Sequence, residues 1–258
     1  MTAGTVLAGA AAAALALAEA LLPGTYTNEE QVAFAAEAGR PAPPWAGLEI
    51  RPDGAGFRLR SVDPYGAHGA EDQRMTLAEA DGRLAITTGR CTRLYEAQGD
   101  TLRAVLSRGV CRSPYAFDRF TPEAMYLKAA DGTGAEIELR RARAFRCWAA
   151  VPKRAPRPDG AVDWWGARNL VLHDQGGRVA IATDEAEPQR FELRMRRVVF
   201  PTGPNQPSLV LYVHRPGEPR ALAYSWADPG AVRVGINIRQ VQASCTLDQK
   251  EATSAGAR

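Results

Sequence analysis

The chain has 258 residues, 45% of them hydrophobic and 24% charged, which is enough apolar material for one large or two small globular domains. Its formal net charge is only +3, and Arg, far more abundant than Lys, is interleaved with Asp and Glu, so no basic stripe argues for a nucleic-acid partner. Three His and four Cys, none of the Cys in C-x-x-C spacing, leave little material for a metal centre or a thiol redox site.

The first feature in chain order is an uncharged apolar run from Val6 to Ala18, ended by Glu19. About thirteen residues fall short of the roughly 20 that a bilayer span needs. The run fits the apolar core of a secretory signal, with Ala18-Glu19-Ala20 as a small-x-small cleavage site, although the first basic residue is Arg40. Residues 1–20 are therefore expected to be a signal peptide and the mature protein, without a transmembrane segment, to be periplasmic or secreted. Thr27-Asn28-Glu29-Glu30 has the form of a capping box, in which the Thr hydroxyl and Glu carboxylate each satisfy an open N–H at a helix start. The helix should run from Asn28 to Ala38 and stop before the prolines at 41, 43 and 44.

From Trp45 onward the pattern is of strands. Phe57–Arg60, Arg83–Thr87, Thr101–Leu106 and Ala135–Leu139 alternate, as do Asn169–His173, Arg178–Thr183, Phe191–Met195, Ser208–Val213 and Ala221–Trp226. Val232, Val234, Ile236 and Ile238 occupy one face of a further strand and Arg233, Asn237 and Arg239 the other. Asp53-Gly54, Asp81-Gly82, Gly99-Asp100, Asp131-Gly132 and Gly176-Gly177 read as turns between them. The fold class is all-β, an antiparallel barrel or sandwich, with one N-terminal helix and a first β unit within residues 21–150 and a second antiparallel β unit over 162–247. The Pro-rich stretch 151–161 reads as a linker, and residues 248–258 as a disordered tail.

The four Cys allow three pairings. Cys91 and Cys111 flank a strand–turn–strand pattern centred on Gly99-Asp100, which places them together at the open end of a hairpin. Cys147 ends the last strand of the first expected unit and Cys245 follows the last strand of the second, so their bridge is expected to staple one unit to the other. Structural disulfides suit an oxidising compartment.

Three local patterns in order resemble the CpeT/CpcT family of bilin lyases. They are Gly24-Thr25-Tyr26-Thr27-Asn28-Glu29-Glu30-Gln31, then Gln73-Arg74-Met75 with the hairpin at Asp81-Gly82-Arg83-Leu84-Ala85-Ile86, then Gly89-Arg90-Cys91 through Gly99-Asp100 to Cys111. The resemblance covers residues 21–145. It implies a calycin-like (lipocalin-like) barrel whose open end receives a linear tetrapyrrole, and hence a bilin-like ligand in place of any other cofactor. It has no counterpart for the second unit.

A barrel cavity lined by apolar side chains and a few Arg suits a small apolar or amphipathic ligand bearing carboxylates, because the guanidinium fork matches a carboxylate. Arg58, Arg60 and Arg74 are the expected ligand-binding residues. His68 lies close in sequence to Glu71 and Asp72, the pieces of a general base with an orienting carboxylate, but reads equally as a surface-loop residue. Arg190, Arg194 and Arg196 around Glu192 read as a solvated strand face. Trp164-Trp165 reads either as the packed start of a domain or as an exposed stacking pair. No catalytic motif is present, and no metal-binding residues are expected. An exported ligand-binding barrel is the leading reading; the alternatives are an envelope structural or interaction protein with a filled barrel, and a lyase-type enzyme. Exported protein is expected to begin at Leu21, and N-terminal sequencing that returned Met1 or Thr2 would refute the cleavage.

Overall fold

A computed structural model describes residues 3–111, 116–128, 134–155, 157–200 and 203–248. In chain order the elements are α1 (Ala3–Leu21), β1 (Gly24–Thr27), α2 (Glu29–Glu37), β2 (Gly47–Asp53), β3 (Gly56–Val62), β4 (His68–Ala80), β5 (Arg83–Thr88), β6 (Cys91–Gln98), β7 (Thr101–Gly109), β8 (Phe117–Phe120), β9 (Ala124–Lys128) and β10 (Glu136–Ala142). They continue with β11 (Ala144–Pro152), β12 (Trp164–His173), β13 (Gln175–Ala182), β14 (Arg190–Val198), β15 (Ser208–His214), β16 (Ala223–Ala227), β17 (Arg233–Asn237) and β18 (Gln242–Leu247). No helix among the described residues is long and apolar enough to cross a membrane.

The chain divides into two compact units, one of Met1–Asp63 and Ala67–Ala142, the other of Pro64–Gly66 and Arg143–Arg258. In the first, β2 to β10 form an up-and-down antiparallel meander, and β1 closes it by pairing with β2 on one side and β10 on the other. Period-two alternation fills the interior: Leu48, Ile50, Leu59, Met75, Leu84, Ile86, Tyr95 and Leu102 are all buried in one core. Tight turns make the meander possible. Asp81 and Gly82 both have positive φ, 53° and 69°, as the favoured two-residue hairpin requires. Helix α1 adds Ala14, Ala18 and Leu21 to this same core, and Leu22 follows them there.

Helix α2 forms where expected, but not with a capping box. Its N-cap is Asn28, and the Glu30 carboxylate that would close the box is bonded to Arg140 on β10. Thr27 Oγ1 still accepts the Glu29 N–H at 3.3 Å.

The second unit is built from two four-stranded sheets, ordered β12-β11-β18-β17 and β13-β14-β15-β16, which share one apolar core. Its first strand is β11. The unit boundary therefore falls between Ala142 and Arg143 and not in the Pro-rich stretch. β11 pairs with both β12 and β18, so Val151 and Pro152 of the expected linker end β11 and the rest of it belongs to the connection between two neighbouring strands of one sheet. Two other expectations change as well. Gly176-Gly177 lies inside β13, the chain turning instead at Asp174, and the Asp131-Gly132 turn and residues 249–258 of the expected tail lie outside the described residues.

Both disulfides form as paired in sequence. Cys91 faces Gly109 across β6 and β7, two residues before Cys111, and the Cys91 and Cys111 Cα atoms are 4.6 Å apart. Cys147 and Cys245 are direct cross-strand partners on β11 and β18, with Cα atoms 4.0 Å apart. This second bridge lies within the second unit, because both of its strands do, and does not staple one unit to the other. It closes a separation of 98 residues against 20 for the first. In the chain-entropy description these contribute about 4.7 and about 3 kcal/mol. Replacing Cys147 and Cys245 together by Ala is expected to lower the denaturation midpoint of the second unit more than the Cys91/Cys111 double variant lowers that of the first. Equal or reversed shifts in chemical denaturation would contradict it.

Candidate functional site on the inner wall of the barrel

Arg93 and Tyr95 stand two residues apart on β6 and so share a face. Their cross-strand partners on β5 are Ile86 and Leu84, both part of the barrel core, so that face is the inner one. Tyr95 is fully buried, and its ring lies 5.5 Å from Phe120, itself 5.3 Å from Phe117. Its hydroxyl donates to the Phe117 carbonyl at 2.7 Å. Burial pushes this phenol far above its ordinary pKa, against the smaller opposing pull of Arg93, and keeps it a neutral donor. Arg93 Nη1 donates to the Phe117 carbonyl at 2.6 Å and pairs with Asp118. Its Nε is buried with no hydrogen-bond partner among the described residues. The apolar cover of this wall is α1, which packs along β4 to β7. Tyr26, at the start of the barrel, donates its hydroxyl to the Leu21 carbonyl at the end of α1. The wall thus offers an apolar surface, one cation with a spare donor and one phenol. Strand alternation in "CTRLYEAQ" already puts Arg93 and Tyr95 on one face; nothing in the sequence says that the face points inward.

Arg58, Arg60 and Arg74 are brought together, but on the outer wall. Arg58 faces Arg51 on β2 and Arg74 on β4, and Arg60 faces Glu49 and Asp72. Inward Phe57 and Leu59 flank Arg58, which fixes its outward direction. Arg58 pairs with Asp53 at 3.3 Å and Asp72 at 3.5 Å, and Arg60 with Asp72 at 3.3 Å. Glu49, Arg51, Pro52, Asp53, Arg58 and Arg60 line a shallow depression of about 200 Å³. His68 opens β4, and its ring nitrogen lies 2.9 Å from Glu49 on β2, a partner that sequence proximity to Glu71 and Asp72 did not suggest.

The segment Asn28-Glu29-Glu30-Gln31 is a set of anchors on the outside of the barrel. Asn28 donates to the Pro44 carbonyl at 2.8 Å and accepts the Ala46 N–H at 2.7 Å, and Glu29 accepts the Trp45 indole N–H at 3.0 Å. Glu30 pairs with Arg140, and Gln31 donates to the Glu136 carbonyl at 2.8 Å. These bonds tie the start of α2 to the residues just before β2 and to β10, and none of the four residues belongs to the apolar core of the barrel.

In the second unit Glu192 and Arg196 are buried, although their alternation reads as solvated. Glu192 accepts the Tyr65 hydroxyl and pairs with Arg178 at 2.7 Å, so this face is covered by polar partners that come from distant sequence. Arg190 alone of the three Arg is exposed. Trp165 packs against the core of its unit and Trp164 is exposed, so the adjacent pair divides between the two readings.

No protein-family model, curated protein or solved structure matches this chain. Among the described residues no group of three or more His, Cys, Asp or Glu is placed to hold a metal ion.

Glu49 gives the outer cluster a measurable signature. Burial alone would raise its carboxyl pKa, but hydrogen bonds and charge from Arg51 and His68 outweigh burial and hold it below the ordinary glutamate range. A depressed folded-state pKa stabilises the fold fully above the unfolded value, and that contribution is lost as pH falls through the folded value. Carboxyl NMR is expected to find Glu49 titrating below an ordinary glutamate, and Arg51→Gln to move the titration upward; an unmoved midpoint would contradict the pairing.

Proposed function

We propose that this chain is exported, that export removes α1, and that the barrel so opened binds a small amphipathic ligand carrying a carboxylate. One observation carries the reading: a segment with the features of a signal peptide supplies Ala14 and Ala18 to the apolar core of the barrel. Cleavage after Ala20 leaves Leu21, Leu22 and all ten strands in the mature chain and takes away the helix packed against β4 to β7. Apolar surface uncovered in this way is refilled by water at a cost, or by an apolar ligand with a gain. The buried Nε of Arg93 supplies the donor for an acid group, and Tyr95 the neutral phenol beside it.

The resemblance to the CpeT/CpcT family points the same way. The ligand it suggests, a linear tetrapyrrole, is a long apolar conjugated body with carboxylate side chains. Binding without catalysis is the reading adopted. Arg58 and Arg60 then act as outer-wall ion-pair partners, Arg74 stands beside them on the same outer face, and Arg93 takes the role assigned to the three from sequence.

Processed protein recovered after export is expected to bind cis-parinaric acid, a fluorescent fatty acid, with a rise in its emission. The full chain, refolded with α1 in place, is expected not to. Arg93→Met should weaken binding about tenfold or more, the scale of one charge-assisted hydrogen bond. Processed, folded protein that leaves the probe dark, or a full chain that binds it equally well, would sink the proposal.

A further inference from the structure

The open face of the β12-β11-β18-β17 sheet has an organisation that the packing of its unit does not require. On β11, Cys147, Ala149 and Val151 point into the core, so Arg146, Trp148, Ala150 and Pro152 point out. Trp148 and Trp164 are 41% and 42% exposed. Trp164 pairs with Pro152, four residues beyond Trp148, which sets the two indoles roughly 13 Å apart along the strands. Between them Ala150 faces Gly166, so nothing longer than a methyl interrupts the floor. Gln242 faces Ala150 on the other side, with Asn237 beyond it, and Ser244 faces Trp148. The register shifts opposite Trp148, where Arg168 and Asn169 are both exposed.

Charge on this sheet has one sign. The four strands contain Arg146, Arg168 and Arg233 and no Asp or Glu at all. Arg146 pairs with Asp248, just beyond β18, and Arg233 donates to Ser244 at 3.0 Å. On the outer wall of the barrel, by contrast, Arg58 and Arg60 each have a carboxylate neighbour.

We propose that this face binds a glycan chain whose sugars carry carboxylates. A pyranose ring presents a C–H face that stacks on an indole, and hydroxyls that exchange hydrogen bonds with Asn and Gln side chains such as Asn237 and Gln242. Two indoles on one flat strip engage two such rings of one linear chain, and Arg168 and Arg233, which have no carboxylate partner among the described residues, select a chain of uronic acids over a neutral one. The flat strip, free of side chains between the indoles, distinguishes this occupant from an anionic membrane, which uses Arg and Trp without needing a floor. The face belongs to the second unit and gives that unit a role of its own.

The test is affinity electrophoresis of the whole protein in gels containing polygalacturonate, with the neutral glucan laminarin as the parallel gel. Retardation by polygalacturonate is expected, with apparent affinity weakened roughly tenfold or more by Trp148→Ala and by Trp164→Ala, changes that leave net charge unaltered. Gly166→Leu should do the same by filling the floor, since a Cβ there meets only the Ala149 carbonyl oxygen, at an ordinary 3.9 Å. Unchanged thermal unfolding of the two Trp variants shows that the fold is intact. No retardation, retardation that survives both Trp variants, equal retardation by laminarin, or pelleting with anionic phospholipid vesicles in place of polygalacturonate binding would each overturn the proposal.

Discussion

The barrel depends on a strand of four residues. β1 is hydrogen-bonded along both edges, Thr25 facing Glu49 on β2 and Ala142 on β10, and without it the meander would present two open edges. So short a strand holds its register because both flanks are tied. Behind it, Tyr26 reaches back to the Leu21 carbonyl. Ahead of it, Asn28 bonds the chain at Pro44 and Ala46 just before β2, while Glu30 and Gln31 bond β10. The anchors on α2 thus grip the same two strands that β1 joins. Helix position and barrel closure are one constraint, expressed in the eight residues from Gly24 to Gln31.

Polar side chains divide the molecule into outer walls where charge is paired and an inner wall where it is scarce. Outside, Arg58, Arg60 and their carboxylate neighbours lie in half-exposed pairs that contribute little to stability individually. Inside, Arg93 shares a buried wall with Tyr95, and one of its nitrogens has no acceptor among the described residues. Burying a guanidinium costs several kcal/mol unless partners surround it. An incompletely satisfied one on an apolar wall is the chemical reason to look for an acidic ligand there. The second unit uses a buried charge differently. Asp174 is fully buried and accepts from the Arg143 backbone at 2.7 Å and side chain at 2.6 Å, with Arg197 also beside it. Its lone pairs are occupied, and it fixes the start of β11 against the turn between β12 and β13.

Much was legible from local sequence. Alternation located most of the strands, because a strand with one buried face must repeat every two residues whatever it pairs with. The Cys91–Cys111 bridge followed from a hairpin, whose register is set by its own turn. Helix α2 was found from its polar start and the prolines beyond it, even though Glu30 serves Arg140 and not a cap. The site was less legible. Arg58, Arg60 and Arg93 all alternate with apolar residues, and alternation cannot say which side of a sheet closes into an interior.

What sequence alone determined is therefore most of the strands, the all-β class and, through a local hairpin, the Cys91–Cys111 bridge. Those properties depend on side-chain period and turn chemistry, which act over a few residues. Only the tertiary structure decided that β11 belongs to the second unit, that Arg93 faces inward while Arg58 faces outward, that α1 shares the barrel core, and that Trp148 and Trp164 share a bare strip. Each of these depends on strand pairs distant in sequence: β1 with β10, β11 with β18, β11 with β12. Such pairs form when the whole core is buried together, and no window of neighbouring residues contains that information.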